Sequence, residues 1–208
     1  MNRIVEHEIL DDLDPADPDA VRSRRDLRLI NFLMSGQAWI VRQICGLQDV
    51  QRIVELGAGD GKLCQQIKSR LPHCEVVAVD RMAKPNHVRA DITWETSCVL
   101  EYDGFDAETV VVANLFIHHL EDRELRVLAA RLKQVRALIF AEPHRNNSAL
   151  CLGRCLFPFV NHVTRHDMIT SIKAGFTRGE IAEAFDSNLR WHEKIGLLGG
   201  IRMMGVRL

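Results

Sequence analysis

Two rhythms of apolar residues alternate along the chain from Arg52 onward. Short unbroken runs (Ile53-Val54 with Leu56, Val76-Val77-Ala78-Val79, Val110-Val111-Val112-Ala113, and the apolar stretch from Ala137) read as strands buried on both faces. Between them, apolar residues recur every three or four positions: Leu63, Cys64, Ile67 and Leu71, then Leu125, Leu128 and Leu132. That spacing puts them on one side of a helix. The pattern predicts strands at Arg52–Leu56, Glu75–Asp80, Thr109–Asn114 and Ala137–Glu142, with a short one at His87–Asp91. Strand and helix in strict alternation predict an α/β, doubly wound parallel sheet with helices on both faces. The rhythm breaks near the end. Thr177-x-x-Glu180 is a capping-box pattern opening a short helix. Arg190–Ile195 and Ile201–Val206 then read as strands joined by Gly196-Leu197-Leu198-Gly199-Gly200. A link that short predicts an antiparallel hairpin, because a parallel crossover needs a dozen or more residues.

Before Arg52 the pattern is different. Glu6 to Asp19 is acidic and proline-punctuated, and reads as loop. Asp17-Pro18 is a helix start, with Leu27, Ile30, Met34 and Val41 near helical spacing and Ser35-Gly36 as a break between two helices. Residues 1–51 are therefore expected to form an acidic segment and a helical cap or lid, and residues 52–208 the core domain. Arg22, Arg24, Arg25 and Arg28 decorate the cap as a solvated face or as part of a lid. Leu150–Val163 is apolar apart from Arg154, Asn161 and His162, which suits packing or a pocket wall; a surface meeting a membrane or lipid-like substrate is the other reading. Thr164 followed by Asp167 is an ordinary helix start.

Bulk properties narrow the class. The chain has 208 residues and a net charge of -1, without the basic excess expected of a nucleic-acid-binding domain. Six cysteines show no paired CxxC spacing, so free thiols in a reducing cytoplasm are expected. There is no apolar signal region and no run long enough to span a membrane.

The chemistry centres on Val54-Glu55-Leu56-Gly57-Ala58-Gly59-Asp60-Gly61. A strand that turns through three glycines into a helix lets a nucleotide approach the backbone and the free N–H groups of the helix end. A dinucleotide fingerprint reads G-x-G-x-x-G and seats a pyrophosphate. Here the spacing is G-x-G-x-G, with acidic Glu55 before it and acidic Asp60 within it. Two carboxylates suit a ligand carrying an ammonium and a sulfonium. Asp80, about twenty residues on at the end of the second strand, is placed to accept hydrogen bonds from ribose hydroxyls.

This loop resembles that of the class I S-adenosylmethionine-dependent methyltransferases, and the resemblance covers about Arg52 to the C-terminus. It implies a seven-stranded, mostly parallel sheet with an antiparallel last strand, here with an N-terminal helical extension, and S-adenosylmethionine as cofactor. On this resemblance Glu55 and Asp60 lie near the methionine moiety, and Gly57, Gly59 and Gly61 permit close backbone approach. Asp80 holds the ribose, Met82 packs on adenine, Asp91 meets the adenine amino group and Ile92 packs on the ring. Asn114 at the end of the fourth strand completes the cofactor set. Asn114-Leu115-Phe116-Ile117-His118-His119-Leu120 resembles the apolar-His-His-Leu stretch of small-molecule methyltransferases, including those of ubiquinone and menaquinone biosynthesis. The pair also fits a structural helix start. His118, His119, His144 and His166 are the catalytic candidates, with His162 and Glu142 near the same crevice. No metal is expected: there is no H-E-x-x-H or CxxC pair, and the fourth strand ends in Asn114 where metal-dependent catechol-type enzymes place acids.

The expected activity is methylation of a small, possibly hydrophobic acceptor, with O-methylation of a phenolic, polyketide-like or quinone-precursor molecule favoured and C-methylation open. The alternatives are RNA or protein methylation, a NAD-dependent oxidoreductase, and a catalytically inactive cofactor-binding partner. Near-neutral charge and the missing Asn/Asp-Pro-Pro-Tyr/Phe box oppose nucleic acid, and the loop spacing opposes NAD. Oligomeric state is not legible.

Overall fold

A computed structural model describes residues 1–14, 16–185 and 188–207. Seven strands form one sheet: β1 (Arg52–Leu56), β2 (Glu75–Asp80), β3 (Thr93–Thr96), β4 (Thr109–Asn114), β5 (Ala137–Pro143), β6 (Leu189–Ile195) and β7 (Gly200–Arg207). Their spatial order is β3-β2-β1-β4-β5-β7-β6. β1 to β5 pair in parallel, and β7 runs antiparallel between β5 and β6. The mostly parallel sheet with a closing hairpin is thus as the sequence predicted.

Alternate residues of each central strand feed opposite helical layers, as the two-residue period of a strand requires. On one face Val54, Val111 and Leu138 pack with Leu125 and Leu128 of α5 (Asp122–Arg131) and Ile181 and Phe185 of α8 (Glu180–Phe185). On the other, Ile53, Val110 and Ile139 pack with Leu63 and Ile67 of α4 (Lys62–Arg70) and Ile40 and Ile44 of α3 (Gly36–Cys45). α3 thus contributes Ile40 and Ile44 to the sheet's own core.

The cap is made from two places in the chain. α1 (Ile9–Asp12) and α2 (Pro18–Met34) pack on α7 (His162–Ala174), and α6 (Asn147–Cys155), inserted after β5, packs there too. Asp17 caps α2 by accepting from the Asp19 and Ala20 amides, and Ser35 adopts φ 54° where α2 gives way to α3. Cap and insertion are locked together by polar contacts: the Asn161 amide donates to Asp26, and the Thr164 hydroxyl reaches Ser23. No helix among the described residues is long and apolar enough to cross a membrane.

Three sequence expectations change. The third strand is Thr93–Thr96, not His87–Asp91, which lies in turns beside the start of α4. The acidic segment read as loop contains α1, whose first amides (Ile9 and Leu10) donate to buried Asp167. Asn161, not Thr164, caps α7, accepting from the Thr164 amide.

Candidate active site

The strand order reverses between β1 and β4, so the crevice beyond their C-terminal ends is where an open α/β sheet binds ligands. The glycine loop sits there. Gly57, Gly59 and Gly61 have φ of 65°, 54° and 70°, a region that side-chain-bearing residues resist. A Cβ on Gly57 would run into the Phe116 ring, whereas one on Gly59 would meet nothing within 4 Å. The loop therefore keeps one glycine for packing and presents another to open space, a cradle that fits a ligand lying on the backbone.

Asp80 stands beside that cradle. Its Oδ2 accepts from the Gly59 amide at 2.7 Å and its Oδ1 from the Met82 amide at 2.8 Å. The carboxylate is held in place by backbone, with lone pairs left over on both oxygens. Met82 is 64% exposed, and its carbonyl accepts from the Trp94 indole. Asp60 accepts from the Lys62 amide at the start of α4. Asn114 ends β4 half-buried, its amide oxygen pressed against Gly36, where a Cβ would not fit.

Glu55 departs from the expectation that it offers a carboxylate to the ligand. It is 3% exposed and one oxygen has no hydrogen-bond partner. Burial pushes its pKa up to about 8, with Asp60 and Asp80 adding to the rise and the Cys64 contact opposing it. At neutral pH it is a neutral acid. The unfolded chain loses this proton above about pH 4.5 while the folded chain keeps it to about 8, so stability falls as pH rises across that window. Glu55→Gln removes the titration. Its Tm should fall less than that of wild type between pH 5 and pH 8, by about 2–4 °C for each kcal/mol recovered; parallel melting curves would contradict this.

Asp91 and Ile92 also stand elsewhere than expected. Asp91 precedes β3, is exposed, and pairs with Arg89 at 2.7 Å. Ile92 is buried in the core of the α3–α4 layer. The residue following β3 is Ser97, whose amide donates to the Asp80 carbonyl.

The turn after β4 joins the crevice to a second space. Leu115 takes φ 53°, and Ile117–His119 forms a 3-10 turn. Phe116 faces Gly57, while Leu115, His118 and His119 line a cavity of about 230 Å³ under the cap. Most of its wall is apolar, including Leu27, Ile30, Leu152, Leu156 and Met168. Its polar end is Glu8, His118 and His119, with Ser171.

His118 is 2% exposed and its ring is fixed by Glu142 at the end of β5, with Nδ1 2.6 Å from Oε2. The other Glu142 oxygen accepts from the Phe116 and Ile117 amides, so the orienting carboxylate is itself held. His118 Nε2 has no hydrogen-bond partner and lies 3.9 Å from Glu8 Oε1. Burial opposes a charge on His118, but Glu142 and Glu8 together carry its pKa up to about 9. His119, stacked on His118 with ring centroids 4.2 Å apart, is brought down to about 4 by burial and by its charged neighbour.

Glu8 comes from the segment read as loop, and sequence reasoning missed it. The arm carrying it is tied down at several points. Arg3 donates to the carbonyls of Ala174, His118 and Leu120 and pairs with Asp122. The Ser171 hydroxyl donates to Glu8 itself. The only available signal was an acidic residue among many. The other histidines are not brought to the cavity. His144 receives the Asn146 amide and bridges to Phe176, with burial lowering its pKa. His166 is half exposed beside Asp167, and His162 is exposed near Asp19. Of the four histidines named from the sequence, His118 and His119 line the cavity and His144 and His166 do not.

Comparisons agree with this architecture. No protein-family model matches the chain. Over 80 residues it is 32% identical to uncharacterized methyltransferases of Mycobacterium tuberculosis (strain ATCC 25618 / H37Rv) and Mycobacterium bovis, a match covering 35% of this chain and 39% of each relative. The chain therefore spans only about two fifths of the curated relatives it matches. Among solved structures, the plantazolicin methyltransferase BpumL, in complex with a triazolic desmethylPZN analog and SAH, aligns with TM-score 0.71 at 10% identity, over 92% of both chains. The pyocyanin biosynthetic protein PhzM aligns with TM-score 0.61 at 15% identity, over 93% of this chain and 60% of its own. Human N-acetylserotonin methyltransferase in complex with SAM gives 0.57 at 11%, over 94% and 60%. The fold is that of the class I S-adenosylmethionine-dependent methyltransferases.

Proposed function

We propose that this protein transfers a methyl group from S-adenosylmethionine to a hydroxyl oxygen of an apolar small molecule. The observation that carries this reading is the turn after β4, which touches the glycine loop through Phe116 and lines an apolar cavity through His118 and His119. Cofactor and acceptor sites on either side of one rigid turn suit an in-line displacement, in which positioning supplies much of the rate. The acceptor oxygen attacks the methyl carbon, the carbon–sulfur bond breaks, and its electron pair stays on sulfur as S-adenosylhomocysteine leaves. The proton of the hydroxyl leaves through the polar end of the cavity.

Each residue has a part in this scheme. Asp80 holds the ribose, Gly59 admits the methionine portion, and Asp60, Met82 and Asn114 border the same crevice. Glu142 aims His118 at the acceptor. Glu55, neutral and buried, supports the loop from beneath. A hydroxyl is favoured over a carbon acceptor because the apolar cavity ends in charged His118, able to bind its oxygen, and in neutral His119 and the Glu8 carboxylate, able to take its proton. Six free thiols fit a reducing compartment, and we place the protein in the cytoplasm.

The test is incubation with methyl-labelled S-adenosylmethionine and a cellular metabolite extract. The expected product is an organic-soluble molecule carrying the label and about 14 mass units heavier than its precursor, as replacing H by CH3 requires. Label found only in RNA or protein, or in nothing at all, would overturn the small-molecule reading.

A further inference from the structure

The polar end of the cavity has the makings of a metal site. Ligand-capable atoms of Glu8, His118 and His119 all lie within 4.8 Å of one another. His118 Nε2 is buried without a partner and directed at that group, an arrangement that costs free energy unless something binds it. The ring's far nitrogen is 2.6 Å from Glu142, whose second oxygen is fixed by two amides. A carboxylate that orients a histidine from behind is the recurring support of metal-binding imidazoles. Glu8 is anchored by the Ser171 hydroxyl, and the arm that brings it is pinned by Arg3.

We propose that Glu8, His118 and His119 bind one divalent first-row transition metal ion, zinc being a good match, with an open position toward the cavity. Two imidazoles and one carboxylate suit such ions better than magnesium or calcium, which prefer all-oxygen shells. The three ligand atoms would close on zinc at the usual distances of about 2.0–2.2 Å by side-chain adjustment. The proposal goes against the sequence expectation of no metal. That expectation considered strand-end acids and short motifs, whereas this third ligand comes from the N-terminal arm.

The role rests on the proposed methyl transfer. The ion's open position takes the acceptor's hydroxyl oxygen, whose proton is released to solvent on coordination. The bound oxyanion then forms the new oxygen–carbon bond as the carbon–sulfur bond breaks and its electrons go to sulfur. Oxygen coordination lowers the pKa of the hydroxyl and orients it, which is the ordinary work of a Lewis-acidic site.

The experiment titrates cobalt(II) into the metal-stripped full-length protein without cofactor or acceptor, following the ligand-field absorption and the bound metal per chain. One equivalent should bind without a thiolate charge-transfer band, and zinc should displace it. Glu8→Gln and His119→Asn should each weaken binding by at least about 100-fold, and Glu142→Gln by about 10- to 100-fold. Circular dichroism and binding of S-adenosylhomocysteine confirm that each variant is folded; if His118→Gln does not fold, the other three carry the test. Absence of binding, thiolate-type spectra, or unchanged affinity in both Glu8→Gln and His119→Asn would overturn the metal site. Binding of S-adenosylhomocysteine by the same samples shows whether such a failure leaves the methyl-transfer reading standing.

Discussion

Turnover of His118→Gln should fall by about 100- to 1,000-fold, because the imidazolium's hold on the developing oxyanion is lost, while affinity for S-adenosylhomocysteine stays within about threefold of wild type. The imidazole lies in the cavity wall, away from the glycine loop, so its loss touches the reacting oxygen and spares the cofactor. Gln has a similar reach and can still donate to Glu142, which avoids leaving that buried carboxylate unpaired. The Glu142→Gln variant should show a smaller loss in turnover, because it loosens the ring without removing it. Single-turnover kinetics with the acceptor, beside calorimetry of cofactor binding, separate the two effects. Full activity of a folded His118→Gln protein would remove the histidine from the chemistry.

Asp80→Ala should weaken S-adenosylhomocysteine binding by about 10- to 100-fold, because charge-assisted hydrogen bonds are worth roughly 1.5–3 kcal/mol. Two losses combine. The ribose hydroxyls lose their acceptor, and the Gly59 and Met82 amides lose the carboxylate that holds the cradle open. Asp80→Asn keeps one acceptor and should fall between the two. An affinity unchanged in a folded Asp80→Ala protein would take this residue out of the site.

What the sequence made legible follows from how locally each feature is encoded. The strands β1, β2, β4 and β5 are buried on both faces, so their apolar runs are unbroken and announce themselves. β3 is an edge strand, Thr93-Trp94-Glu95-Thr96, with mostly exposed side chains and no apolar run to mark it. The glycine loop and the junction at Ser35 were readable because backbone conformation selects residues at single positions. Side-chain direction is not encoded that way. His118 and His144 both follow strand ends, yet one faces the cavity and the other bridges to Phe176. Glu8 was illegible for a further reason: its partners, His118 and Ser171, are more than a hundred residues away, and nothing in an acidic stretch says which carboxylate turns inward.

The most direct test of the account is calorimetry of the wild-type protein with S-adenosylhomocysteine and, separately, with NAD. The account expects one site per chain for S-adenosylhomocysteine and no detectable heat with NAD, because the Asp60 and Asp80 carboxylates beside a G-x-G-x-G loop disfavour a pyrophosphate there. Tight NAD binding without binding of S-adenosylhomocysteine would contradict it.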